Sequence, residues 1–276
     1  MNFICGDRFI EIADFIYMIP STYDYYNYPN TFDPTKIEAF NGIPIIYTFT
    51  HHLKSLLPLL KMLNKRVVLV THNSDDEVIK ELYDILPLNV IRWFAICVMH
   101  NGSRLEPIPI GLENERWTRV FGVDKPQKIL HKQKEEKTYK NLLYLNITVG
   151  TNLKERELPY KLLHDKPFVT NCHANKYDFD GFIDNIYRHK FVLCPRGNGT
   201  DSHRTWETLY LDSIPVLRRT HENSFYRDLP ICFVNQWEEV TEEFLNKEYD
   251  RIINAEWNLE KLDFDFWKER ILSFTQ

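Results

Sequence analysis

One short stretch of the chain concentrates side chains that could bind a phosphate group. It runs from residue 196 to residue 207 and reads RGNGTDSHRTWE. Backbone N–H groups at a helix start attract anions, and glycine lets a phosphate approach the backbone closely. Arginine and histidine side chains would add positive charge there. The candidate ligands are Arg196, Gly197, Asn198, Gly199, Asp201, His203, Arg204 and Glu207.

Two charged residues of this stretch have complementary chemistry. Arg204 and Glu207 are three positions apart, so a helix would place them on one face. The guanidinium could grip a diphosphate, while the carboxylate could accept hydrogen bonds from ribose hydroxyls. A nucleotide sugar carries both groups. The alternative is a surface ion pair beside a turn that uses its glycines for tight packing.

The flanking sequence predicts the elements that would position these groups. Phe191 to Leu193 has strand character, and the following proline and glycines break the strand into a turn. Asp201 or Ser202 can cap the helix that follows. A second strand opens at Ile214. The stretch is therefore expected to be a strand, turn, helix and strand.

The same stretch resembles a known family. CPRGNGTDSHRTWETL followed by IPV is similar to the signature of exostosin-like glycosyltransferases, especially the branch of the ribitol-phosphate xylosyltransferases and related bacterial and viral proteins. The similarity continues through DLPICFVNQWEEVTEEFL and, more weakly, through THNSD and PIPIGLEN. Family members usually have glycine where this chain has Asp212 or Ser213.

That resemblance implies an inverting glycosyltransferase of the GT-B type, with two Rossmann-like α/β domains facing each other across a cleft. It implies a nucleotide-sugar donor with UDP as the nucleotide. UDP-xylose is the leading donor, and UDP-glucose, UDP-galactose and UDP-glucuronate stay open. Cations of the protein would take the place of a metal, so no cofactor is expected.

Composition narrows the class of protein. The 276 residues are 43% hydrophobic and 14% aromatic, as in globular proteins. A formal net charge of -5 argues against a general nucleic-acid binder. The five cysteines contain no CxxC pair, which favours neither a disulfide framework nor a zinc site. Charges interrupt the apolar N-terminus, so we expect no signal peptide or membrane span and a cytoplasmic protein.

The first half predicts alternating strands and helices, which indicates a parallel sheet. Strands are expected at Ile43 to Thr50 and Arg66 to Val70, and the second ends in THNSDD. Ligands of such sheets lie outside the carboxyl ends of the strands. Inversion needs a general base there, and the candidates are His72, Asp75 and Asp76, of which the family resemblance favours Asp75, with Glu113 in reserve. The alternative is that Asp75 or Ser74 caps a helix from Glu77 to Leu86.

The charge pattern predicts the domain division. Residues 126–140 are rich in lysine and poor in apolar side chains, as is typical of a solvated linker. We therefore expect an N-terminal acceptor domain over residues 1–125 and a C-terminal donor domain over residues 141–276.

The donor domain offers further candidates after its strands. Arg156 follows the strand Asn141 to Ile147 and could reach the diphosphate, and Asn152 could cap the next helix. Asn171, at the end of a short strand, is a candidate contact to the nucleotide base. A loop from Thr220 to Ser224 could contact the donor sugar.

Two other patterns have competing interpretations. Tyr23, Tyr25 and Tyr26 could form a stacking platform for a saccharide acceptor, or simply cover the core. Asp178 and Asp180 spell the DxD pattern of metal-dependent glycosyltransferases, although capping of the following helix explains them well. The rival functions are therefore a metal-dependent DxD enzyme and a nucleotide- or glycan-binding module without catalysis. The sequence does not define the oligomeric state.

Overall fold

A computed structural model describes residues 2–19, 28–115, 124–172 and 179–276. The chain divides into two units, of which unit 1 comprises Met1–Val120 with Asp263–Gln276 and unit 2 comprises Phe121–Leu262. Each unit contains one five-stranded sheet in which every pairing is parallel. The α/β class predicted from the sequence is confirmed. Within the described residues, no helix has the length and apolar content needed to cross a membrane.

The elements alternate along most of the chain. The strands are β1 (Phe15–Tyr17), β2 (Ile45–Phe49), β3 (Val67–His72), β4 (Val90–Ala95), β5 (Leu105–Pro107), β6 (Asn141–Leu145), β7 (Val169–Asn171), β8 (His189–Leu193), β9 (Ile214–Arg218) and β10 (Cys232–Val234). The helices are α1 (Gly6–Glu11), α2 (Pro34–Ala39), α3 (Leu53–Met62), α4 (Lys80–Asp84), α5 (Lys125–Lys132), α6 (Leu153–Leu163), α7 (Phe179–Tyr187), α8 (His203–Tyr210), α9 (Glu242–Ile253) and α10 (Phe264–Leu272).

Unit 1 arranges its strands in the order β1-β2-β3-β4-β5, so each strand pairs with its neighbour in sequence. Side chains alternate between the two faces of a strand. Val67 and Leu69 of β3 therefore share one face, where they pack with Leu60 of α3 and Leu82 of α4. This face is covered by the crossover helices.

The opposite face of the unit 1 sheet is covered by α1 and α10. His72 of β3 stacks on Phe9 of α1, with ring centroids 5.1 Å apart. Phe9 also meets Phe264 of α10 at 5.2 Å. Burial on both faces explains why β2 and β3 are continuous apolar runs in the sequence.

Unit 2 has a different strand order, β10-β9-β8-β6-β7. The chain passes from β6 outward to β7, then returns so that β8 pairs with the other side of β6. The loops after β6 and β8 consequently diverge to opposite sides. This reversal is a topological switch point, which is where parallel α/β sheets usually bind ligands.

The predicted linker is wrong, because part of it is a helix of unit 2. Asp124 caps α5 by accepting a hydrogen bond from the Gln127 N–H, and Ile129 is fully buried. The lysines that indicated solvation pair with carboxylates instead. Lys128 pairs with Asp180, and Lys132 of α5 lies 3.1 Å from a carboxylate of α7.

The predicted domain limits are wrong at the C-terminus as well. The last fourteen residues, Asp263–Gln276, belong to unit 1. The Asp263 carboxylate accepts a hydrogen bond from the Asn2 N–H at 3.0 Å, and the Phe264 N–H donates to the Asn2 carbonyl at 2.8 Å. The prediction assigned this segment to the donor domain because no local signal marks the return.

Two element boundaries also differ from the sequence prediction. The strand expected to end at Gly111 ends at Pro107, and Gly111 has a left-handed φ of 68°. There the backbone turns, and the Leu112 N–H donates to the Ile4 carbonyl at 2.7 Å. The helix expected from Glu77 begins at Lys80.

Gly111→Ala should lower the free energy of unfolding by at least about 2 kcal/mol, because a side chain is strained at this φ. The added Cβ would also lie 2.1 Å from the Ile4 carbonyl oxygen. Gly150→Ala is the control, since a Cβ there meets nothing within 4 Å. Urea denaturation of both variants checks the expectation, and equal midpoints would contradict it.

Candidate functional site

The turn between β8 and α8 is held by Asp201. Its carboxylate accepts from the Ser202 N–H at 2.7 Å and from the Trp206 indole N–H at 2.9 Å. Ser202 is the N-cap residue of α8, but its side chain makes no capping hydrogen bond. Asp201 therefore shapes the turn that leads into α8.

Helix α6 fastens the same turn from the loop after β6. Asn152 caps α6, as predicted, by accepting from the Glu155 N–H at 3.3 Å. Its Nδ2 donates to the Gly197 carbonyl at 2.8 Å. The two loops that diverge at the switch point are thus joined by side chains.

Arg156 lies in α6 against this turn. Its Nε donates to the Arg196 carbonyl at 3.0 Å, and Nη1 donates to the Thr148 carbonyl at 3.1 Å. Gly197 leaves space for this guanidinium, because a Cβ there would lie 3.0 Å from the Arg156 Nη2. The glycine makes room for arginine in addition to any ligand.

Arg156 and Arg204 form a pair of interacting cations. Burial, together with repulsion from Arg204, lowers the pKa of Arg156 to about 10. The Arg204 guanidinium lies over the Phe182 ring at 5.4 Å, and its buried Nε meets no hydrogen-bond acceptor in the described part of the chain. Neighbouring half-buried cations of this kind favour a bound anion.

Glu207 has a partner that the sequence prediction missed. Its Oε1 lies 2.6 Å from the Lys125 Nζ, and only 3% of the Glu207 side chain is exposed. Burial alone would raise the pKa of Glu207, but attraction to Lys125 lowers it overall. The carboxylate is ionised inside unit 2. That Glu207 binds ribose stays a prediction, and no local pattern could have paired it with Lys125, which the sequence prediction assigned to the N-terminal domain.

A pocket of unit 2 lies beside these groups, and its space, including the part that is open to solvent, is about 480 Å³. Its walls come from α6, the β8–α8 turn, β9 and the loops after β9 and β10. The lining residues are Glu155, Cys194, Arg196, Thr200, Asp201, Ser202, Thr205, Leu217, Arg218, Thr220, Glu222, Asn223, Tyr226 and Trp237.

The loop after β9 forms one wall and is fixed by Asn223. The Asn223 amide accepts from the Thr220 N–H at 3.0 Å and donates to the Arg218 carbonyl at 2.8 Å. This loop carries Glu222. Burial would raise the pKa of Glu222, but hydrogen bonds from Thr220 and attraction to Arg196 lower it overall.

The remaining predicted donor ligands lie in or near this region of unit 2. Arg196 lines the pocket, and its Nη2 donates to the Asn198 carbonyl at 3.3 Å. His203 is the first residue of α8. Asn171 ends β7, where its Nδ2 donates to the His164 carbonyl at 3.3 Å and its Oδ1 is buried without a hydrogen-bond partner in the described chain. Gly199 lies in the same turn, before α8.

The predicted base residues lie at or near the carboxyl ends of unit 1 strands. His72 ends β3 and is 1% exposed, with Nε2 3.1 Å from the Pro109 carbonyl oxygen and Nδ1 2.8 Å from the Asn73 backbone nitrogen. Asp75 is exposed. Neither Asp75 nor Ser74 caps α4, because the N-cap is Ile79. Glu113 is half-buried.

Two other predictions involve residues that lie partly outside the described part of the chain. Tyr23, Tyr25 and Tyr26, the proposed acceptor platform, lie outside the described residues, as does Asp178. Asp180 lies in the first turn of α7 and pairs with Lys128. In the described part of the chain, no group of three histidine, cysteine or acidic residues is arranged to hold a metal ion.

Comparisons with known proteins give little further information. No protein-family profile matches the chain, and no curated protein matches it. A solved structure titled "OtsA apo structure" is similar with a TM-score of 0.46 and 14% identity, covering 88% of this chain and 75% of that one. A similarity this distant carries no inference about function.

Lys125→Met should lower the free energy of unfolding at neutral pH by about 3 kcal/mol or more, because it leaves the Glu207 charge buried without its lysine. Lys247→Met, at an exposed position of α9, is the control. Adding Glu207→Gln to Lys125→Met should recover part of the loss. Full stability of Lys125→Met would show that the ion pair contributes little.

The loss of unfolding free energy in Lys125→Met should also depend on pH. Without the lysine, burial raises the Glu207 pKa above its unfolded value, so the variant is stabilised at low pH and loses stability as pH rises through the folded pKa. The wild type, whose Glu207 pKa is lowered, loses stability only as pH falls below the unfolded value of about 4. Denaturation midpoints of the two proteins should therefore converge from about pH 8 to about pH 5.

Proposed function

We propose that the chain is a glycosyltransferase and that unit 2 binds the diphosphate of its nucleotide-sugar donor. The pair of Arg156 and Arg204 carries this proposal. Repulsion from Arg204 contributes to the lowered pKa of Arg156, and the Arg204 Nε is buried without an acceptor. A bound diphosphate would neutralise both guanidinium groups and accept their N–H donors.

The surrounding backbone supports the same ligand. The α8 N-terminus follows the turn that Arg156 contacts, and the side chain of its N-cap residue, Ser202, makes no capping hydrogen bond. Helix N-termini favour anions through their N–H groups and dipole. The turn also lies at the switch point of the unit 2 sheet, where the loops after β6 and β8 diverge.

The proposed chemistry is a direct displacement at the anomeric carbon with inversion. The bond from that carbon to the diphosphate oxygen breaks as an acceptor hydroxyl attacks, and the diphosphate leaves with its electron pair. Arg156, Arg204 and the α8 N-terminus would stabilise the charge on this leaving group, with each fixed group contributing roughly a few kcal/mol. These cations would serve in place of a metal.

The finer identity rests on the resemblance of CPRGNGTDSHRTWETL to exostosin-like glycosyltransferases. It favours UDP as the nucleotide, xylose as the leading sugar and a saccharide hydroxyl as the acceptor. Two α/β units with parallel sheets agree with the GT-B class that the resemblance implies.

The base candidates differ in their surroundings. Both ring nitrogens of His72 lie within hydrogen-bond distance of backbone atoms, which leaves the imidazole poorly placed to take a proton from an acceptor. Asp75 is exposed and Glu113 is half-buried. We therefore keep Asp75 as the proposed base, with Glu113 as the reserve.

Arg204→Ala should weaken UDP binding by about 10- to 100-fold, because it removes charge-assisted hydrogen bonds to the diphosphate. Arg219→Ala is the matched control, since Arg219 is exposed and lies over Phe233. Isothermal titration with UDP measures both. Unchanged affinity in Arg204→Ala, or no binding of UDP by the wild type, would reject the proposed site.

Asp75→Asn should reduce transfer by at least about 100-fold while leaving UDP affinity within about twofold, because a general base acts on the acceptor and not on the nucleotide. Glu81→Gln, at an exposed position of α4, is the control. UDP release from a UDP-sugar with a panel of saccharide acceptors measures the rate. Transfer that survives Asp75→Asn would shift the assignment to Glu113.

A further inference from the structure

Two adjoining parts of the unit 2 site carry opposite charge. Arg156 and Arg204 form a cationic pair outside the pocket lining. The pocket lining itself contains two guanidinium groups and three carboxylates, so its formal charge is negative. These charged residues are Arg196, Arg218, Glu155, Asp201 and Glu222. A lining with excess carboxylate is poorly suited to a phosphate group.

All three carboxylates have hydrogen-bond partners within the protein. Glu155 accepts two hydrogen bonds from Arg218, at 3.0 and 2.7 Å. Asp201 accepts from a backbone N–H and from the Trp206 indole. Both therefore hold the pocket walls in place.

Glu222 accepts a hydrogen bond from Thr220 and belongs to the loop that forms one wall of the pocket. The Asn223 amide fixes this loop, and the Glu222 side chain is only partly buried. Its lowered pKa keeps it ionised at neutral pH. Glu222 therefore presents a fixed negative charge to whatever fills the pocket.

We propose that this pocket binds the sugar of the donor and that Glu222 selects an uncharged sugar over one that carries a carboxylate. The inference rests on the proposed function, because it places the diphosphate against Arg156 and Arg204. Sugar hydroxyls donate hydrogen bonds to carboxylates. The apolar side chains of Leu217, Tyr226 and Trp237 supply surface for the C–H face of the ring.

The negative charge of the pocket lining would select between an uncharged sugar and a uronate. A uronate resembles the corresponding hexose in size but places a second carboxylate in a lining that is already negative. Like charges repel more strongly in a partly desolvated pocket than in water. UDP-glucose and UDP-glucuronate are therefore a matched pair of probes, because they differ only in the group at carbon six.

The test is isothermal titration of the wild type with UDP, UDP-glucose and UDP-glucuronate. We expect UDP-glucose to bind at least about tenfold more tightly than UDP-glucuronate. Glu222→Gln, which keeps the shape and removes the charge, should narrow this ratio to about threefold or less and change UDP affinity by less than about twofold. Glu238→Gln, at an exposed position outside the pocket lining, should leave the ratio unchanged.

A second measurement uses only the wild type. If the discrimination is electrostatic, the ratio of the two affinities should shrink as salt is raised. Equal or tighter binding of UDP-glucuronate, or an affinity ratio that Glu222→Gln does not alter, would overturn the inference. If UDP still binds, the proposed function would stand. Absence of UDP binding would overturn both.

Discussion

The pairing of β8 with β6 is the constraint on which the unit 2 site depends. Its register sets Leu143 opposite Phe191 and brings the ends of the two strands to one edge. The loops that follow must then turn to opposite sides, because β7 already occupies the far side of β6. Asn152 and Arg156 join these loops through backbone carbonyls of the β8–α8 turn. The position of the cationic pair follows from strand order.

Buried charged groups are the second feature on which the unit 2 site depends. Lysines of one segment of unit 2 bind groups elsewhere in the unit. Lys125 neutralises the Glu207 carboxylate, and Lys137 donates hydrogen bonds to the Leu211 and Asp212 carbonyls just after α8. Burial lowers the pKa of Lys137 to about 8. Residues 125–137 thereby contact both α8 and the residues just after it. Arg156 receives no such carboxylate, and its guanidinium contacts carbonyl oxygens instead.

Local pattern predicted much of the fold and less of the site. Strands β2, β3 and β8 could be predicted because each is an apolar run bounded by turn residues, and such a pattern is visible within a short segment of sequence. The cap at Asn152 was predictable for the same reason. The pairing of Lys125 with Glu207 spans 82 positions, so no window of sequence could contain it. A lysine-rich segment has the same composition whether its lysines are solvated by water or paired with carboxylates of the protein. Composition alone could not distinguish these cases, so the linker prediction was wrong.

The discontinuity of unit 1 has a consequence for biosynthesis. Unit 2 is one continuous segment, Phe121–Leu262, whereas unit 1 needs α10 to cover the sheet face that carries His72 and Phe94. Since chains leave the ribosome from the N-terminus, the first residues synthesised cannot complete their core until Phe264–Leu272 has emerged. Unit 2 can finish folding earlier. The order of translation is thus the reverse of the order in which the two cores are completed.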